Sequence, residues 1–136
     1  MFALIERSLY FSKVIDGAFD ITYASAGKHY SFKDGKKPDD KTLAAAIDAI
    51  DYRNLEMDAK AQTIAFTRLG VSVDLGGIGK GYAFDCGIQI LEALGISQTM
   101  VGAGGDSRII GDRRGEPWVV GIRNPKSKQE NVAVLP

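Results

Sequence analysis

Apolar residues along the chain follow two periods. Phe2, Leu4, Ile5, Leu9, Phe11 and Val14 recur near helical spacing, with Glu6, Arg7 and Lys13 between them. This predicts an amphipathic helix over residues 2–15, stopped by Gly17. No capping residue precedes it, as expected of a helix entered midway in a chain cut from something longer. FDITY (19–23) reads equally as a short strand or the start of a second helix, and residues 27–40 form a polar loop. Asp39 or Asp40 can cap a helix over residues 41–50, with Leu43, Ala46, Ile47 and Ile50 on one face. The period then falls to two: NLEMD and TIAFTRL alternate around AKAQ, predicting a hairpin. VSVDL is a further expected strand, running into Gly76 and Gly77. Helical spacing returns over residues 78–94, and Gly95 supplies the residue after the helix end. QTMVGAG, SRIIG, WVVGI and NVAVLP read as strands, with turns at GGD and DRRGEP. The expected architecture is a single α+β domain over residues 1–136, helices packed on a mainly antiparallel sheet.

Composition narrows the function classes. Hydrophobic residues are 45% and charged residues 25% of 136, ordinary values for one globular core. Seventeen basic residues balance seventeen acidic ones, so no net field draws in nucleic acid or an anionic membrane. Nucleic-acid binding is therefore set aside. The N-terminal residues lack the basic start, apolar stretch and cleavage site of an export signal. Cys86 is the only cysteine, which excludes an internal disulfide, and the single histidine, His29, sits in a polar loop. Neither a Ser/His/Asp set nor a His-based metal site suggests itself. Glycine is the exception. Twelve of the sixteen glycines fall between Gly76 and Gly121, where backbone must turn tightly or approach something closely.

Three constellations could carry chemistry. In VDLGGIGKGYAFD (73–85) a strand delivers Asp74, glycines follow and a helix begins. Free N–H groups and the dipole at such a helix start favour a phosphate, and Lys80 adds a positive charge suited to the same anion. Asp74 can accept hydrogen bonds from a ring or ribose, or help to neutralise a metal. Neither the Walker nor the dinucleotide glycine pattern fits these residues. A glycine-softened turn with a solvated Lys80 is the alternative. In DGAFDIT (16–22), Gly17 ends a helix and exposes Ala18 and Phe19 ahead of Asp20; a core Phe19 and a capping Asp20 explain the same residues. In VGAGGDSRIIG (101–111), Gly104, Gly105 and Asp106 make either a plain hairpin turn or a strand edge open to a ligand.

Taken together, DGAFDIT, VDLGGIGKGYAFD, VGAGGD and PWVVGIRNP resemble the ApbE family in order and spacing. Its members are FAD:protein FMN transferases, earlier described as thiamine biosynthesis lipoproteins. The resemblance implies an ApbE-like (T-fold-like) domain, here the central portion of a longer transferase and incomplete at both ends. It also implies Mg²⁺-dependent cleavage of FAD, with FMN passed to a Ser or Thr hydroxyl of an acceptor protein and AMP released. Ala18, Phe19, Asp20, Asp74 and Lys80 match family positions that contact FAD, and Gly77 matches a Mg²⁺-ligating position that would act through its carbonyl oxygen. No catalytic residue is assigned. The family's later motifs, which supply the other Mg²⁺ ligands and the residue thought to activate the hydroxyl, are not found in residues 126–136. Family members are typically exported and lipid-anchored, which this sequence does not display. Two further expectations follow: a non-catalytic flavin- or nucleotide-binding module, and self-association through the unfinished NVAVLP sheet edge.

Overall fold

In the computed structural model, residues 1–31, 33–127 and 130–135 are described. Phe32 of the polar loop and Pro136 at the end of the last expected strand lie outside them. The backbone groups into two compact units that divide at Gly79 and Lys80.

The first unit begins with α1 (Phe2–Val14). Its buried face is Leu4, Ile5, Ser8 and Ser12, whereas Val14 is 60% exposed. The two serines are tolerated inside because each hydroxyl donates to a carbonyl one turn earlier, Ser8 to Leu4 at 2.8 Å and Ser12 to Ser8 at 3.0 Å. The helix stops in a left-handed step of two residues. Asp16 (φ 51°) and Gly17 (φ 77°) both turn, and the Gly17 amide reaches back to the Ser12 carbonyl at 2.7 Å.

FDITY becomes a 3₁₀ turn (Ile21–Tyr23) that runs into the short α2 (Ala24–Gly27). Further on, α3 (Asp40–Ile47) is capped by Asp39, whose carboxylate accepts from the Thr42 amide at 2.8 Å. A second 3₁₀ turn (Tyr52–Asn54) leads into β1 (Leu55–Asp58), which pairs antiparallel with β2 (Thr63–Phe66) around the expected AKAQ connection.

VSVDL keeps its alternation without joining a ladder. Val71, Val73 and Leu75 pack on the core of Ile5, Ile21 and Leu55, as do Leu9, Phe19, Met57 and Ile64. Its backbone donors go elsewhere: Ser72 N–H to the Ser25 hydroxyl at 3.0 Å, and Asp74 N–H to the Ile21 carbonyl at 2.9 Å. The expected strand is therefore an extended segment, satisfied by the helical turns it crosses.

The second unit carries most of α4 (Gly79–Ala93), with Phe84 and Ile88 buried one turn apart. Gly95 (φ 82°) ends the helix as expected, its amide bonding Glu92 and the Ile96 amide bonding Leu91, both at 2.9 Å. β3 (Thr99–Ala103) pairs antiparallel with β4 (Asp106–Ile110), and β5 (Val120–Arg123) with β6 (Asn131–Leu135). Gly104 (φ 59°) and Gly105 (φ 91°) form the two-residue turn between β3 and β4, both left-handed as a type I′ hairpin requires. The α+β class and antiparallel pairing hold, as three two-stranded sheets among the described residues. Among these residues no helix is long and apolar enough to cross a membrane.

Candidate functional site

The left-handed stop at Asp16 and Gly17 leaves Ala18 exposed and Phe19 and Asp20 half-buried. Asp20 is tied down on both oxygens. Oδ1 accepts from the Thr22 amide at 2.8 Å and the Thr22 hydroxyl at 2.6 Å, and Oδ2 accepts from the Tyr52 amide at 2.8 Å. Its visible work is to cap the 3₁₀ turn and to pin the 52–54 turn against it.

Phe19 meets the glycine pair directly. A Cβ built on Gly77 would stand 3.1 Å from the Phe19 ring, so a larger residue there would press the ring aside. Phe19 and Gly77 also line one small apolar cavity of about 200 Å³ with Phe11, Ile15 and Ile78. Asp74 is exposed, and its Oδ1 accepts from the Gly76 amide at 2.6 Å. A Cβ on Gly76 would come within 2.8 Å of that oxygen, so a larger residue there would push the Asp74 carboxylate out of this position.

The backbone bond from Asp74 to Ile21 joins these two motifs, distant in sequence, into one patch of the first unit. Sequence reasoning missed Tyr23, which lines the same cavity as Asp74. Burial and the neighbouring Asp74 push its phenol above the ordinary value of 10.0, so it stays a protonated donor at neutral pH. Tyr23 and Asp74 line a cavity of about 750 Å³, with Lys28, Tyr30 and Ser72 in the same wall. The signal available in the sequence was Tyr23's place at the end of FDITY, one helical turn beyond Phe19.

Lys80 belongs to the second unit, where its Nζ lies 2.5 Å from Asp106 Oδ2. Both side chains are more than half exposed. A Cβ on Gly104 would sit 3.7 Å from the same Nζ, so the expected phosphate-facing lysine and the GGD turn lie side by side.

Among the described residues no three His, Cys, Asp or Glu side chains gather as a metal site, and Asp74 Oδ1 already holds an amide. Gly77's carbonyl, at the position where the resemblance implies Mg²⁺ binding, would supply one oxygen of the octahedral shell Mg²⁺ prefers. The described residues do not by themselves fit a complete Mg²⁺ site.

A model of the ApbE family matches residues 1–136. The chain belongs to the ApbE family. It is 28% identical to the FAD:protein FMN transferase of Treponema pallidum, over 99% of this chain and 42% of that protein. It is 29% identical to the FAD:protein FMN transferase of Vibrio cholerae, over 95% of this chain and 40% of that one. Among solved structures, the ApbE protein of Thermotoga maritima matches with a TM-score of 0.86 at 32% identity, covering 98% of this chain and 44% of that chain. The flavin transferase ApbE from Vibrio cholerae gives 0.81 at 25% identity, covering 97% and 44%. The chain spans about two fifths of the length of the curated relatives it matches.

Proposed function

We propose that the protein serves FAD:protein FMN transfer and that this segment supplies part of the flavin-nucleotide cradle. In that reaction a Ser or Thr hydroxyl of an acceptor protein attacks the FMN phosphorus of FAD. The new phosphoester bond forms as the pyrophosphate bond breaks, AMP leaves, and the hydroxyl proton passes to a base that is not assigned to this segment. The observation that carries the reading is the family match along the whole of residues 1–136, among relatives named for this activity.

In this reading Ala18, Phe19, Asp20, Asp74 and Lys80 contact FAD. Asp74 accepts hydrogen bonds from the nucleotide and orients it. Lys80 offsets phosphate charge, which requires it to exchange its exposed partner Asp106 for the ligand. Phe19 offers an apolar wall, and Asp20, whose side-chain oxygens are already engaged, keeps the 18–20 backbone in shape. Mg²⁺ dependence is part of the family reading, with Gly77's carbonyl as this segment's contribution; the ion needs further oxygens.

A second reading is a flavin-binding module without transfer. Titrating the chain with FAD, with and without Mg²⁺, by flavin fluorescence tests the cradle. Saturable binding weakened by Asp74→Ala is the expected result, and unchanged affinity in that variant would remove Asp74 from the site. Release of AMP from FAD in the presence of an acceptor separates the transferase from the binding module.

A further inference from the structure

The cavity of about 750 Å³ that Asp74 lines has a second charged side chain in its wall, Lys28, the residue that follows α2. Two neutral oxygens hold its ammonium. Nζ donates to the Ser72 hydroxyl at 2.7 Å and to the Gly70 carbonyl at 3.4 Å. Among the described residues no carboxylate pairs with it, whereas the charge of Lys80 is already answered by Asp106. A hydroxyl and a carbonyl place an ammonium without neutralising it. The third N–H and the positive charge therefore stay open to an anion.

Ser72 is built into the same arrangement. Its amide donates to the Ser25 hydroxyl at 3.0 Å, and Ser25 is 1% exposed, so the acceptor that places Lys28 is itself anchored. The Ser72 hydroxyl accepts from Lys28 and donates to none of its described neighbours, which leaves an O–H beside the ammonium as a further donor. Much of the remaining wall is apolar, with Leu43, Ile50 and Val73. A tie between residues 70–72 and α2 needs only the hydrogen bonds, and the uncompensated charge is left for a ligand.

We propose that Lys28, placed by Ser72, binds a phosphate of the flavin nucleotide and makes this cavity select phosphorylated flavins over riboflavin. This rests on the flavin-nucleotide reading of the site. One cavity then offers an acceptor, Asp74, to the ligand's N–H or O–H groups and a cation to its phosphate.

The experiment titrates the parent chain and Lys28→Gln with FAD, FMN and riboflavin by flavin fluorescence, and with AMP as a competitor of FAD, both proteins being melted thermally alongside. Glutamine keeps a donor for Ser72 and removes the charge. Lys28→Gln should weaken FAD binding about five- to tenfold, the scale of one exposed charge-assisted contact, and leave riboflavin binding and the melting temperature unchanged. The loss should shrink as salt is raised, because exposed charges are screened. The same loss for FMN assigns Lys28 to the FMN phosphate, and the same loss in AMP competition assigns it to the adenylate phosphate. An equal loss for riboflavin overturns the proposal and marks a lysine that only ties residues 70–72 to α2. A parent chain that binds no flavin overturns both this role and the reading beneath it. FAD binding by the parent that Lys28→Gln leaves untouched removes the role alone.

Discussion

The two units hold their candidate residues by different means. Up to Gly79, Phe19, Asp20, Asp74 and Gly77 are placed by a buried core, by backbone bonds between distant segments and by carboxylates whose oxygens cap amides. From Lys80 onward the candidate lysine has a single exposed ion pair. The described part of that unit buries Phe84 and Ile88 and leaves Val120, Ile122, Val132, Val134 and Leu135 substantially exposed. A site residue fixed by non-local backbone bonds is placed before any ligand arrives. An exposed lysine paired with an exposed carboxylate keeps its freedom, because such pairs contribute little in water and are screened by salt. The first arrangement suits recognition of a rigid group, and the second suits a charge that changes partners.

The sharpest way to break this contrast is at the core. Ile21 is 1% exposed, and its carbonyl receives the Asp74 amide. Ile21→Ala should cost about 2–5 kcal/mol in urea unfolding, since it removes buried methyl groups and leaves a cavity. A loss well below that range would mean that the first unit is not held by its core.

Asp20→Ala comes next. It strips the cap from the 3₁₀ turn and leaves the Tyr52 amide without its acceptor, so about 1–3 kcal/mol should be lost in the same assay. If FAD affinity falls while stability does not, Asp20 is a ligand contact and its capping role is secondary.

The smallest effect on stability is expected in the second unit. Lys80→Ala and Asp106→Ala should each change unfolding free energy by less than about 1 kcal/mol, and less still at high salt. FAD titration should separate them: Lys80→Ala weakens binding, while Asp106→Ala leaves it equal or tighter because the lysine is released. Equal weakening by both variants would make the pair a structural clasp and would erase the contrast between the units.

Much of the local structure was legible in advance because it rests on short-range chemistry. Periodicity placed α1 and α4, and alternation about AKAQ placed the β1–β2 hairpin. Gly95 and the Gly104–Gly105 pair marked places where φ must be positive. The resemblance carried by DGAFDIT and VDLGGIGKGYAFD named the family before the fold was seen, and the match over residues 1–136 bears it out.

What escaped that reading depended on partners far away in the chain. VSVDL has the alternation of a strand, but whether it joins a ladder depends on which donors and acceptors fold beside it; Ser25 and Ile21 took its amides. The inward face of α1 turned on two serines that satisfy themselves, a choice hydropathy does not see. Tyr23 and Asp74, which line one cavity, and Phe19 and Gly77 are unrelated residues in sequence and come together only after the 3₁₀ turn and the extended 71–75 segment lie side by side. Sequence alone determined which residues could serve a nucleotide, because side-chain chemistry and glycine's backbone freedom are local properties. Tertiary structure alone decided which of them meet, because a hydrogen bond between distant segments exists only once the chain between them has folded.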